Sequence, residues 1–241
     1  MQQRTDEHGL PVGEPVPGWV APPRPAADLV LTGEDVRLEP LTPDLVPGLF
    51  AATCAPGSEA SWTYMSAGPF ADAAGLTAYL EGMWKQADSL LLAIRAVADG
   101  RVLGMAAYLR ITPTAGTVEV GAIMLGPDLA RTRAATEAMW LMAQHVFALG
   151  YRRYEWKCDA LNAPSRRAAQ RLGFRAEGVW RQALVYKGRN RDTAWFAMTD
   201  GDWERLGPAI RAWLDQTRGG RPQTRPLGEL TAQALGQSVR S

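Results

Sequence analysis

The sequence predicts an α/β (α+β) fold, a single mixed sheet with helices packed on both faces. Three observations carry this. Residues 118–174 alternate strand, helix, strand, helix. Residues 89–111 and 174–199 each read as two strands joined by a polar turn, Ala98-Asp-Gly-Arg101 in the first and Lys187-Gly-Arg-Asn-Arg-Asp192 in the second. Apolar residues recur at helical spacing between these strands, most clearly over Ala134–Leu149.

Taken in order, Asp35–Leu41 is a strand. Pro43–Thr53 is a short helix with Thr42 placed to cap it. Asp72–Ala87 carries Leu76, Tyr79, Leu80, Met83 and Trp84 at helical spacing. Ser89–Val97 and Val102–Ile111 form the first hairpin, and Val118–Leu125 pairs next. Ala134–Leu149 puts Ala135, Met139, Met142, Val146 and Leu149 on one face and ends at Gly150. Tyr151–Asp159 is a strand, and Ala163–Leu172 is a helix stopped by Gly173. Phe174–Tyr186 and Thr193–Thr199 form the last hairpin, and Trp203–Leu214 is a closing helix. Outside this domain, 31–215, lie a Pro/Gly-rich leader, 1–30, and a polar tail, 216–241. The leader buries little and either wraps the surface or stays disordered. The tail is loose, with a short helix near Leu227–Leu235.

Composition narrows the chemistry. With 46% hydrophobic residues the chain can build a core, and its net charge of +1 gives no bulk attraction to nucleic acid or an acidic membrane. Cys54 and Cys158 have no CxxC spacing, so neither a disulfide framework nor a metal site is indicated. His8 and His145 are the only histidines, which argues against Ser-His-Asp or Cys-His catalysis. No apolar run approaches a membrane span and no signal pattern opens the chain. The expectation is a cytoplasmic protein, monomer or homodimer.

One acid, Glu119, stands among apolar neighbours in Thr117-Val-Glu-Val-Gly-Ala-Ile-Met-Leu125. Simple alternation places it on a face with Gly121, Ile123 and Leu125, where loss of water raises a carboxyl pKa. After this strand the chain enters a long helix at Arg131-Thr-Arg-Ala-Ala-Thr-Glu137. The first amides of a helix have no internal partner and attract anions. An acid beside such a site fits group transfer from a phosphorylated carrier.

Five segments sharpen this: Gly68-Pro-Phe70, Glu119-Val-Gly121, Arg131-Thr-Arg-Ala-Ala-Thr-Glu-Ala138, Asn162-x-x-Ser165 with Gly173-Phe174, and Lys187-Gly-Arg-Asn-Arg-Asp-Thr-Ala-Trp195. Together they resemble the GCN5-related N-acetyltransferases, especially the branch of ribosomal-protein N-terminal acetyltransferases, over about Val36 to Leu206. The resemblance implies a mostly antiparallel sheet whose fourth and fifth strands part around acetyl-CoA. It also implies direct transfer of the acetyl group to an amine. Glu119 is then the candidate base. The backbone at Ile123, Met124 and Leu125 would hold the pantetheine arm. The amides of Arg131, Thr132, Arg133, Ala134, Ala135 and Thr136 would hold the pyrophosphate. Asn162 would bind the coenzyme arm, Ser165 would serve the leaving sulfur, and Trp62, Tyr64 and Phe70 would wall the amine site.

Each role has a plainer alternative. Glu119 would pair with an arginine, Asn162 would cap a helix, Ser165 would bond locally, and the aromatics would be core. The chain also departs from the family pattern. Arg131 and Arg133 stand where glycines usually let phosphate approach, and Ala169 stands where many members carry a tyrosine acid. The two arginines would either clamp phosphate or close the groove. Closure would make the chain a non-catalytic binding or regulatory module. A third reading keeps the groove for an acyl carrier other than acetyl-CoA. Arg166, Arg167 and Arg171 would meet the adenosine 3′-phosphate or form a solvated face.

Overall fold

The computed structural model describes residues 4–236. A small ribbon, β1 (Arg4–Thr5) and β2 (Pro11–Val12), opens the chain. The proline-rich segment then crosses the body. Pro22, Pro25 and Leu29 are buried, and Arg24 donates to the carbonyls of Ala87 and Ile111.

The domain itself runs β3 (Leu31–Thr32), β4 (Val36–Pro40), α1 (Val46–Thr53), α2 (Ala73–Trp84), β5 (Leu90–Ala96), β6 (Val102–Thr112) and β7 (Thr117–Leu125). It continues with α3 (Arg133–Ala148), β8 (Arg153–Asp159), α4 (Ala163–Arg171), β9 (Arg175–Tyr186), β10 (Arg189–Thr199), α5 (Asp200–Gln216) and α6 (Leu227–Ala234). Eight strands form one sheet in the order β3-β4-β5-β6-β7-β8-β10-β9. Every neighbouring pair is antiparallel except β7 and β8. The mixed sheet expected from the sequence is therefore observed.

Two cores flank the sheet. Val36, Leu38, Leu92, Ile94, Tyr108, Val120 and Phe196 alternate onto one face, where Met139, Met142 and Val146 of α3 and Leu206 and Ile210 of α5 cover them. Leu91, Ala93, Met105 and Ala107 point the other way, against Val46 and Leu49 of α1 and Leu76 and Leu80 of α2. Each fully buried Val, Leu, Ile, Phe or Met among them contributes about 1.5–3 kcal/mol. In the tail, α6 is buried through Leu227, and Thr231 donates to the carbonyl of Arg171 in α4. Among the described residues no helix is long and apolar enough to cross a membrane.

Several local expectations change. Thr42 makes no side-chain cap; a 3-10 turn, Pro43–Leu45, leads into α1 instead. Asp72 caps α2, accepting from the Gly75 amide at 2.8 Å. The last hairpin turns on Lys187 and Gly188 alone, because β10 already begins at Arg189. Both residues have positive φ, 48° and 70°, as a two-residue hairpin turn with right-handed strand twist requires.

Candidate active site

The site begins where two parallel strands separate. β7 and β8 pair only from Thr117↔Arg153 to Val120↔Trp156, although both strands run further. The cause lies at Ala122, whose φ is 48°, at a shift in the β6–β7 register between Met105 and Ala107. An extra residue there bends the strand and reverses its alternation. Val118 and Val120 face α3, whereas Met124 faces α1 and α2. This corrects the face assigned to Glu119: Ile123 and Leu125 pack on the α3 side. Gly121 remains beside the acid, and a Cβ there would stand 3.0 Å from Glu119 Oε1.

Beyond the gap, the chain turns through Arg131, at φ 65°, into α3. Thr132 caps the helix, its Oγ1 accepting from the Ala135 amide at 3.2 Å. The amides of Arg133 and Ala134 belong to the first turn and have no intrahelical acceptor. The Arg133 side chain does not lie across them. Its guanidinium reaches Asp35 at 2.5 Å, Glu34 at 2.6 Å, Glu137 at 3.4 Å and the Leu214 carbonyl at 3.1 Å. Glu137 in turn accepts from the amides of Glu34, Asp35 and Val36 at 3.0, 2.7 and 3.1 Å. Arg133 and Glu137 thus tie α3 to the β3–β4 turn. Arg131 is exposed, with no ion pair among the described residues. Arg171 donates to Thr136 Oγ1 at 3.1 Å and packs over Trp213. Burial pulls its pKa below the ordinary value.

Glu119 is buried, with 1% of its side chain exposed. Lys157 Nζ lies 3.1 Å and Arg110 Nη1 3.7 Å from Oε2. Lys157 is thus within ion-pairing distance of Oε2. Burial raises the carboxyl pKa, the two cations oppose that rise, and neighbouring Glu155 adds to it. Arg110 reaches this place from β6 because its φ is 48° at a second register shift. Its guanidinium, like Lys157 Nζ, lies over the Trp195 ring, 4.8 and 5.3 Å from the centroid. Sequence reasoning missed Arg110, Lys157 and Trp195 as neighbours of the acid. Their convergence needs the parallel β7–β8 register and the bulge, and neither is visible in residue types.

On the other strand of the gap, Asn162 caps α4 by accepting from the Ser165 amide at 3.1 Å. Ser165 Oγ accepts from Trp156 Nε1 at 3.0 Å and keeps its own proton to donate. Cys158 is buried, and burial pushes its thiol pKa up. Tyr186 donates to buried Asp159 at 2.8 Å. Of the aromatic trio, Trp62 is core: it is 2% exposed, donates to the Thr53 carbonyl and meets Phe70 edge-on at 5.4 Å. Tyr64 and Phe70 are partly exposed. The β9–β10 turn clamps this segment, with Lys187 donating to the Trp62 carbonyl at 2.8 Å and Arg189 to that of Thr63 at 3.2 Å.

Parted strands, a helix start and a buried acid within one sheet define an acyl-transfer fold. Residues 35–175 match the family described as acetyltransferase (GNAT) domain. The chain belongs to the GNAT acetyltransferase family. It is similar to a GCN5-related N-acetyltransferase from Brucella melitensis at 42% identity, with 90% of this chain and 99% of that one covered and a TM-score of 0.84. A probable GNAT-family acetyltransferase from Chromobacterium violaceum ATCC 12472 aligns at 38% identity, 81% and 98% coverage and TM-score 0.76. A structure described as a putative ribosomal-protein-serine acetyltransferase from Vibrio cholerae shares the fold at 19% identity, 72% and 98% coverage and TM-score 0.61. No curated protein is significantly similar in sequence.

Proposed function

We propose that this protein transfers an acetyl group from acetyl-CoA to a primary amine in the cytoplasm, by direct attack within a ternary complex. The acceptor class is a small amine or the α-amine of a peptide or protein. Likeness in fold to ribosomal-protein acetyltransferases tilts the reading toward N-terminal amines. The observation that carries the proposal is the position of Glu119, buried on β7 two residues before the strand parts from β8.

The parts fit the donor. First-turn amides of α3 suit a diphosphate, and Arg133, drawn to Glu34 and Asp35, leaves them uncovered. The edge of β7 beyond Val120 has no pairing with β8, which leaves backbone groups for an amide-bearing arm. Asn162 and Ser165 stand at the start of α4, the helix that follows β8. The amine attacks the thioester carbonyl, Glu119 takes its proton and passes it to solvent, the C–S bond breaks, and the Ser165 hydroxyl donates a hydrogen bond to the leaving thiolate, which is protonated from solvent. Positioning the reactants supplies about 7–11 kcal/mol of the barrier reduction, and a placed base adds about 10²–10⁴-fold.

Calorimetric titration with acetyl-CoA tests the donor, and mass spectrometry of products from a panel of acyl-CoAs and primary amines tests the transfer. Binding together with a product heavier by one acetyl group in place of one hydrogen supports the proposal. No heat at millimolar acetyl-CoA refutes it.

A further inference from the structure

We propose that Lys157 is a positioning residue that keeps buried Glu119 ionised and so able to receive a proton. This rests on the reading of Glu119 as the base and adds the group that makes a buried base usable. A carboxylate withdrawn from water favours its neutral form unless a cation stands close. A neutral carboxyl cannot take a proton from an ammonium.

The charged groups facing Glu119 are few. From β6 comes Arg110, 3.7 Å away but 47% exposed and shared at 3.7 Å with Glu155. From β8 come Glu155 and Lys157. Glu155 is engaged by Arg153 at 2.7 Å, and Arg153 also holds Glu177 of β9. β10 contributes Trp195. Lys157 is nearer than Arg110, at 3.1 Å and 31% exposed. It has no other carboxylate within 4.0 Å among the described residues, so its charge is not divided.

Trp195 packs against the lysine: its ring centroid lies 5.3 Å from Nζ and 4.6 Å from that of Trp180. Lys157 follows the last β7–β8 pair by one residue, so it stands where the strands part.

The test follows the carboxyl directly and needs no acceptor. Carbon NMR titration of protein labelled at the glutamate side-chain carboxyl, with the Glu119 signal assigned by its loss in Glu119→Gln, gives the midpoint in each variant. Lys157→Met is expected to move that midpoint to higher pH by about one unit or more, the usual effect of removing an opposite charge at this range. Lys157→Arg is expected to stay near the parent. Lys157→Gln provides the same neutral test should the methionine variant fail to fold. An unmoved or lowered midpoint in the neutral variants overturns the proposal. A Glu119→Gln protein that keeps the full acetyl-transfer rate overturns the base assignment instead, so the two readings fail separately.

Discussion

Replacing Glu137 by alanine probes the clamp that fixes the start of α3. The Glu137 side chain is 6% exposed, and the carboxylate accepts three backbone amides between 2.7 and 3.1 Å, besides facing Arg133 at 3.4 Å. Hydrogen bonds to a charged group contribute about 1.5–3 kcal/mol each. The amides of Glu34 and Asp35 are only partly buried, so water replaces much of their loss; the Val36 bond is buried and has no such substitute. Arg133 also loses one of its three carboxylates. Breaking a buried charged pair costs about 3–5 kcal/mol, and for a chain of this size that lowers Tm by about 6–20 °C. Urea unfolding followed by tryptophan fluorescence measures it. Gly33→Ala attacks the clamp from the opposite side, since a Cβ at Gly33 would come 2.5 Å from Glu137 Cδ. A loss below about 1 kcal/mol for Glu137→Ala, in the range of an ordinary surface change, refutes the reasoning.

Three further outcomes are expected. Glu119→Gln slows acetyl transfer by about 10²–10⁴-fold with little change in acetyl-CoA affinity by calorimetry; equal losses in both would assign the acid a binding role. Ala122→Val places a β-branched residue at φ 48°; a stability loss of about 1–3 kcal/mol and weaker acetyl-CoA binding are expected, and unchanged binding would separate the bulge from the site. His145 is partly buried, Nε2 has no hydrogen-bond partner among the described residues, and burial lowers its pKa below the usual value of 6.5. The unfolded chain then binds the proton more readily, so stability is full above pH about 6.5 and falls as pH drops below it. His145→Phe should flatten that part of a Tm-against-pH curve, and an unchanged slope would assign the acid sensitivity elsewhere.

Much of the fold was legible because periodicity follows burial. The α3 stripe, the β5–β6 hairpin and the glycine stops after α3 and α4 all lie where local pattern and packing agree. The errors sit where tertiary partners decide. Alternation along β7 misplaced Ile123 and Leu125 because a bulge leaves no mark when its residue is alanine. Arg133 looked like a phosphate clamp or a plug; its partners, Glu34 and Asp35, are about a hundred positions away and meet it only in the folded sheet. Trp62 resembled a pocket wall, yet its indole finds a carbonyl nine residues back and sinks into the core. Lys157 carried no signal until β8 was seen to lie parallel to β7 with Glu155 opposite Glu119.

A crystal structure with coenzyme A bound tests the central claim most directly. The expected result is a diphosphate on the first-turn amides of α3, a pantetheine arm running between β7 and β8 past Ala122, and a sulfur lying between Glu119 and Ser165 with Arg133 still on Glu34 and Asp35. A coenzyme bound away from the parted strands, or a gap closed by the Arg131 and Arg133 side chains, would contradict it.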